Sequence, residues 1–295
     1  MLQKKLKRCR LYNMKPKRLF LFASYDKNGI IDDALIHYVK SIARFGDIVF
    51  VMDSDCADTE LNKIQSYALY TSGTRHNEYD FGSYKRGFIW ASENLNLYDY
   101  DYVYMINDSM YGPLFDLSGY FQKMESLSTD AFGMVKNPHH RSPHIQSWFI
   151  GMRKSVFLSD WFRDFISNVR HHESKGTITI LYEHGFTQQV IKHQLTWDCL
   201  YSAPRRSIYN RPKHFFKKKM PFVKKLCFTR HYGALGRKLL YILNRTEPNL
   251  RNKILDNAQR IYGTENINKM LTNNPLKIVW RNIKYTIHKL RTTGI

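Results

Sequence analysis

Apolar and polar positions fall into two kinds of stretch along this chain. Short continuous apolar runs, bounded by turn residues, read as strands covered on both faces, as a parallel sheet requires. They are Arg18–Ser24 (RLFLFAS), Asp47–Met52 (DIVFVM), residues 102–106 (YVYMI) and residues 131–135 (AFGMV). Between the first two, Leu35, Ile36, Tyr38, Val39 and Ile42 recur at helical spacing, with Asp32 or Asp33 as N-cap and Gly46 as stop. Strand, helix, strand at this spacing predicts a βαβ unit. A third short strand is expected around residues 66–71. Helices are expected after a turn at Gly82, capped by Ser83 or Asp80, and over residues 115–124, 156–169 and 186–193. The first half of residues 144–153 alternates polar and apolar, which predicts a half-exposed strand with His144, Gln146 and Trp148 on one face. From about residue 205 the chain turns basic, with helical patterns over 239–243, 250–262, 267–271 and 278–290. In the last, Ile278, Trp280, Ile283, Ile287 and Leu290 form an apolar stripe among Lys and Arg.

The strands end in acid. Asp53-Ser54-Asp55 follows the second, and Asn107-Asp108-Ser109 follows the run at 102–106. Ligands of open α/β sheets bind at the carboxyl ends of strands. Asp108 there faces a phosphate, a metal or a sugar hydroxyl, or else Asn, Asp and Ser simply make a turn. Asp53-Ser54-Asp55 reads as a metal-binding DxD or as the start of a helix at Thr59-Glu60-Leu61. The loop from Tyr25 to Gly29 offers room for a nucleotide base or ribose. Lys85 and Arg86 add charge near a helix N-terminus, whose free N–H groups attract anions, or are merely solvated. Glu183, just before the helix at 186–193, is either a cap or a positioned general base. His139, His140 and His144 crowd one loop, but no nearby acid or Cys completes a metal set.

Charge narrows the partners. Lys and Arg number 46 against 25 Asp and Glu, a net charge of +21. That implies an anionic partner: nucleic acid, an acidic membrane surface or a phosphorylated substrate. Cys9, Cys56, Cys199 and Cys227 form no CxxC pair, so a structural zinc site or disulfide framework is not expected and a reducing cytoplasm is. The basic residues before Leu19 resemble a signal peptide, but the apolar run is too short. No run approaches the ~20 apolar residues of a membrane span.

Five motifs in order carry a family resemblance: residues 77–85 (NEYDFGSYK), Asn107-Asp108-Ser109 with Tyr111-Gly112-Pro113, residues 144–149 (HIQSWF), residues 182–185 (YEHG) and residues 221–225 (PFVKK). Together they resemble the rhamnan synthesis protein F family of bacterial polysaccharide glycosyltransferases, with the basic C-terminal segment outside the match. The resemblance implies an α/β, GT-A-like nucleotide-binding domain over 18–230, its central, mostly parallel sheet flanked by helices. A basic leader over 1–17 and a basic helical tail over 231–295 would flank it. It implies transfer of a sugar from a nucleotide-sugar donor, of dTDP-rhamnose or UDP-hexose type, to a lipid-linked oligosaccharide acceptor at the inner face of the cytoplasmic membrane. The tail would meet the anionic membrane surface, and no nucleic acid partner is expected. Asp108 stands in place of the DxD motif, flanked by neutral Asn107 and Ser109. A Mg²⁺ or Mn²⁺ ion at Asp108, with His214, is the metal expectation. Ser24, Tyr25, Asp80, Lys85, Arg86, Asn107, Ser109 and Lys224 would hold the donor. His144, Gln146 and Trp148 would orient sugars, and Glu183 would act as base in an inverting reaction. The competing expectations are a non-enzymatic binder of anionic surfaces or nucleic acid, and a scaffold that has kept the fold and lost the chemistry.

Overall fold

The computed structural model describes residues 16–138, 142–229, 234–280, 283–284 and 287. The histidines expected at 139 and 140, the leader before residue 16 and Leu290 lie outside these residues. Eight strands form one mixed sheet in the order β3-β2-β1-β4-β8-β6-β7, with β9 on the free side of β6. The parallel core is β1 (Arg18–Ser24), β2 (Asp47–Met52), β3 (Tyr70–Gly73) and β4 (Tyr102–Asn107). β8 (Phe149–Arg153) runs antiparallel between β4 and β6 (Ala131–Asn137), and β9 (Trp197–Ser202) returns parallel to β6. The expected class therefore stands: α/β, with a central, mostly parallel sheet flanked by helices.

Alternation along β1 shows how both faces are covered. Phe20 and Phe22 enter one core with Tyr38, Val39 and Ile42 of α1 (Asp33–Ala43). Leu19, Leu21 and Ala23 enter the other with Tyr84 and Phe88 of α3 (Tyr79–Asn94), which follows α2 (Asp58–Gln65). α4 (Ser118–Glu125) adds Phe121 to the first core. α5 (Asp160–Ser167) and α6 (Gly185–Lys192) add Phe162 and Phe186 to the second. Every one of these side chains is almost wholly shielded from water, and such burial is the main source of stability.

Four local expectations are corrected. β3 begins at Tyr70 rather than near residue 66, after a turn at Ser66-Tyr67. α3 begins at Tyr79, before Asp80 or Ser83 can cap it, and Gly82 lies inside the helix. Its start is held instead by Asp53, whose carboxylate accepts from the backbone N–H of His76 at 2.8 Å, Asn77 at 2.8 Å and Tyr79 at 3.2 Å. The helix expected over 156–169 is two pieces, Lys154–Phe157 and α5. Residues 144–153 are not one half-exposed strand. β7 (His144–Ile145) pairs with the end of β6, a turn intervenes, and β8 starts at Phe149. His144, Gln146 and Trp148 are all buried.

The C-terminal third builds a smaller core of its own. α7 (Leu235–Leu243), α8 (Pro248–Tyr262) and α9 (Thr264–Met270) bury Leu239, Ile254 and Met270 together with Tyr111, Val223 and Ala34 of α1. Asn257 on α8 bonds both the Tyr111 hydroxyl and the Asp32 carboxylate. Among the described residues no helix is long and apolar enough to cross a membrane.

Candidate active site

A cavity of about 700 Å³ opens at the carboxyl ends of β1, β2 and β4. Here the sheet order reverses direction: β1 has β2 on one side and β4 on the other. Loops leaving neighbouring strands diverge at such a point and leave a crevice between them. Ser24 to Asn28 come from the end of β1, Asp53 from β2, and Asp108 with Ser109 from β4.

Asp108 is held from three sides. Its backbone N–H donates to the Ala23 carbonyl at 3.2 Å. Its Oδ2 accepts from Ser24 Oγ at 3.2 Å and pairs with Lys225 Nζ at 3.1 Å. The lysine is delivered by a two-stranded antiparallel ribbon, β5 (Met110–Tyr111) with β10 (Val223–Lys224), in which Lys224 faces Met110. The ribbon depends on Gly112, whose φ of 141° and approach to the Pro221 carbonyl leave no room for a Cβ. Lys224, the neighbour, is buried. It donates to Ser109 Oγ at 2.9 Å and lies over the Trp148 ring at 5.6 Å.

Glu183 enters the same cavity from the other side of the sequence. It sits in a π-helical turn, Thr179–His184, that runs directly into α6. The wider turn is one frequently found at functional sites. Ser147 Oγ donates to Glu183 Oε2 at 2.5 Å, and His144 Nε2 lies 3.4 Å from Oε1. His144 is fixed in turn by the Ser142 carbonyl at 2.8 Å and by stacking on His184 at 3.8 Å. Burial pushes the Glu183 pKa up, but the hydrogen bonds from His144 and Ser147 and the charge of Lys224 outweigh it. The carboxyl is held below its ordinary value of 4.5, and so is ionised at neutral pH.

Of the residues singled out from sequence, Ser24, Tyr25, Asp80, Asp108, Ser109 and Glu183 line the cavity. Asn107 stands just behind it and donates to Asp80 Oδ2 at 2.9 Å. His144 and Lys224 also stand behind, against Glu183 and Ser109. Lys85 and Arg86 are not part of the lining. Both pair with Glu78, at 2.7 and 2.6 Å, and Lys85 also donates to the Val169 carbonyl. Trp148 and Gln146 are core residues bonded to each other at 3.0 Å, and the indole packs on Phe222. His214 does not join Asp108. It lies on Pro212–Lys217, where burial, Lys218 and Arg211 all lower its pKa. The Asp53-Ser54-Asp55 acids are engaged by backbone N–H groups, those of His76, Asn77 and Tyr79 for Asp53 and that of Arg75 for Asp55.

Several lining residues were not anticipated. Arg75 stacks its guanidinium over Tyr25 at 4.9 Å and donates to the Asp53 carbonyl at 2.9 Å. Arg260, near the end of α8, bridges Asp26 at 2.7 Å and Asp32 at 2.9 Å. Tyr262 follows it, and its hydroxyl pKa is pushed up to about 12, by burial first and then by the Asp108 charge. No local signal marks Arg260 in a segment so rich in basic residues; only the packing of α8 on α1 brings it here.

A divalent ion at Asp108 would need more oxygen ligands than are gathered. Mg²⁺ requires octahedral coordination, usually from one or two carboxylates with water and phosphates. Asp108 is one carboxylate with a lysine ammonium already on it, and Asn107 and Ser109 are bonded elsewhere. Among the described residues no group of three or more His, Cys, Asp or Glu is placed to hold a metal. The expected metal set of Asp108 with His214 does not fit.

The model of the rhamnan synthesis protein F family matches residues 48–289. The match runs through the basic C-terminal segment, which the sequence motifs had left outside it. No curated protein sequence matches the chain significantly. Solved structures resemble it distantly. The mannosyltransferase Ktr4p of S. cerevisiae is 12% identical with a TM-score of 0.32, over 52% of this chain and 59% of that one. The chain thus spans about three-fifths of the mannosyltransferase. Residues 1–349 of S. aureus TarS are 9% identical with a TM-score of 0.33, over 87% and 90%. A cytidylyltransferase from Leptospira borgpetersenii serovar Hardjo-bovis is 12% identical with a TM-score of 0.33, over 65% and 77%.

Proposed function

The chain belongs to the rhamnan synthesis protein F family, and we propose that it is a glycosyltransferase of polysaccharide synthesis with its active site in the cavity beside β4. The observation that carries this reading is the meeting of Asp108 and Glu183, 75 positions apart in sequence, in one cavity at the switch point of a parallel sheet. Family membership supplies the reaction class, and the cavity supplies chemically suitable groups.

The donor is a nucleotide sugar, of dTDP-rhamnose or UDP-hexose type. Its nucleoside lies toward Ser24, Tyr25 and the Asp26–Asn28 loop. Its sugar lies between Asp108 and Glu183, with Asp80 and Ser109 as hydrogen-bonding partners. Glu183 accepts the proton of the acceptor hydroxyl as that oxygen attacks the anomeric carbon from the face opposite the leaving diphosphate, so configuration inverts. A base must be ionised before it acts, and the bonds from Ser147 and His144 keep Glu183 so. Both bonds also fix where the carboxylate points. The acceptor is a lipid-linked oligosaccharide, and the site of work is the inner face of the cytoplasmic membrane.

The test is turnover of a panel of nucleotide sugars on a lipid-linked acceptor extract. We expect Glu183→Gln to lower kcat by about 10²–10⁴-fold while nucleotide binding persists, the usual worth of general base catalysis. Full activity in this variant removes Glu183 from the chemistry.

A further inference from the structure

The lysine on Asp108 stands where a divalent cation is expected. We propose that Lys225, with Arg260 and Arg75, neutralises the donor diphosphate, and that this chain binds and cleaves its donor without a metal ion. The inference rests on the transferase reading above and adds the means of binding the leaving group.

Three observations carry it. First, Lys225 Nζ sits 3.1 Å from Asp108 Oδ2, and the two side chains are only 14% and 13% exposed. An ammonium is thus already held at Asp108, the carboxylate that stands in place of the DxD motif. Second, its position is built rather than incidental. The Lys225 backbone N–H donates to the Ser109 carbonyl at 3.0 Å, extending the β5–β10 ribbon, and the chain then enters a tight turn, Lys225–Thr229. The side chain is thereby delivered to the cavity wall. Third, two further cations line the same cavity, each tethered by acids or carbonyls from other segments. Arg260 is fixed by Asp26 and Asp32, and Arg75 by the Asp53 carbonyl. A diphosphate entering the cavity takes these three cations over from the carboxylates that position them, Asp108, Asp26 with Asp32, and Asp53, and guanidinium groups pair with phosphate oxygens in bidentate fashion.

The transfer balances without a metal. The bond from the anomeric carbon to the bridging phosphate oxygen breaks, and its electron pair leaves with the nucleoside diphosphate. A new bond forms to the acceptor oxygen, and that oxygen's proton passes to Glu183. Charge builds on the departing phosphate, where Lys225 is placed to stabilise it.

The experiment is calorimetric titration of the full chain with UDP, dTDP, GDP and CDP, in excess EDTA and again in millimolar MgCl₂ or MnCl₂. We expect at least one of them to bind with affinities that agree within about threefold across the conditions. Lys225→Met should weaken that binding in EDTA by about tenfold or more, and Lys225→Arg, which keeps the charge, should restore most of it. Binding in the wild-type chain that requires metal overturns the inference and leaves the transferase reading standing. So does a folded Lys225→Met chain that binds as tightly as wild type in EDTA. No binding by any diphosphate in any condition overturns the donor reading itself, and the inference with it. The wild-type comparison needs no variant, so the question is decided even if Lys225→Met does not fold.

Discussion

Single residues in this chain act through a few well-placed hydrogen bonds. His76 sits at the cavity rim, between Arg75 and Asn77 of the lining. Its Nδ1 accepts from the Glu78 backbone N–H at 3.1 Å and its Nε2 contacts Ser83 Oγ at 2.9 Å. An Nδ1 that accepts cannot carry a proton. Burial is the first cause of a pKa lowered from 6.5 to about 4, partly opposed by the Asp53 charge and reinforced by Arg86. Between those two values the unfolded chain binds a proton that the folded chain refuses. Acid therefore favours unfolding in this window, and the contribution is whole only above pH 6.5. Urea unfolding followed from pH 7 down should show stability falling between about 6.5 and 4, and His76→Gln should flatten that slope. Glu183 makes a second prediction. The acid limb of the rate should lie below 4.5, the ordinary value for Glu. Ser147→Ala removes a bond that lowers the pKa, so the limb should move to higher pH in a pH–rate profile.

Elements matter here by what they deliver. The β5–β10 ribbon brings Lys224 and Lys225 to the end of β4, across more than a hundred positions of sequence. α8 closes another wall through Arg260. Asp26, itself buried, has its carboxyl held below 3.8 despite burial, by Arg260 and by the backbone N–H groups of Asn28 and Ile30. Arg260→Ala leaves Asp26 without its cation and should cost about 1.5–3 kcal/mol in urea unfolding, the range for hydrogen bonds to charged groups. Loss of the half-buried Arg251 on the same helix, which has no ion pair among the described residues, should cost far less in Arg251→Ala. Trp148 is the hinge of the turn that replaced the expected single strand. It is 1% exposed and packs on Phe222 and Phe149. Trp148→Ala should destabilise by about 3–5 kcal/mol, read as a lowered urea midpoint at unchanged slope. Alternation read these residues as one face of a half-exposed strand, and the family resemblance gave that face a sugar to orient. Alternation was genuine, but a turn at Ser147-Trp148 breaks the strand, and both faces of the segment are covered.

Across the whole molecule the charge is unevenly spread. After Glu265 the sequence carries no acid, while Lys269, Lys277, Arg281, Lys284, Lys289 and Arg291 follow. The helix that begins there, over residues 275–280, turns Ile278 inward, at 8% exposure. Leu276 and Trp280 stay outside at 79% and 59%, with Ile283 and Ile287 also exposed. The stripe expected from sequence is thus split. The body uses Ile278, while Trp280, Ile283 and Ile287 face solvent beside Lys277 and Lys284. An apolar stripe with Trp among lysines suits the interface of an anionic bilayer, where the rings sit at headgroup depth. Full-length chain should co-sediment with vesicles containing anionic lipid more than with neutral ones. Trp280→Ala with Leu276→Ala should reduce that fraction several-fold. Equal sedimentation of the double variant would assign the stripe to something other than lipid.

The sequence by itself determined four strands of the sheet. Strands β1, β2, β4 and β6 are continuous apolar runs, and a run that must be covered on both faces can only be an interior strand with helices above and below. It also determined that acids stand at strand ends, and Asp108 could be picked out on that ground; Glu183 was read as standing before a helix start, whereas the chain is helical on both sides of it, from Lys175 to Lys192. Tertiary structure alone decided the rest. Which cation meets Asp108 depends on a ribbon closed over long sequence separation, and which arginine reaches Asp26 depends on how α8 packs against α1. Lys85 and Arg86 looked equally suitable along the chain, yet pair with Glu78. Local pattern records how one segment meets water, and it carries no record of which distant segment comes to lie against it.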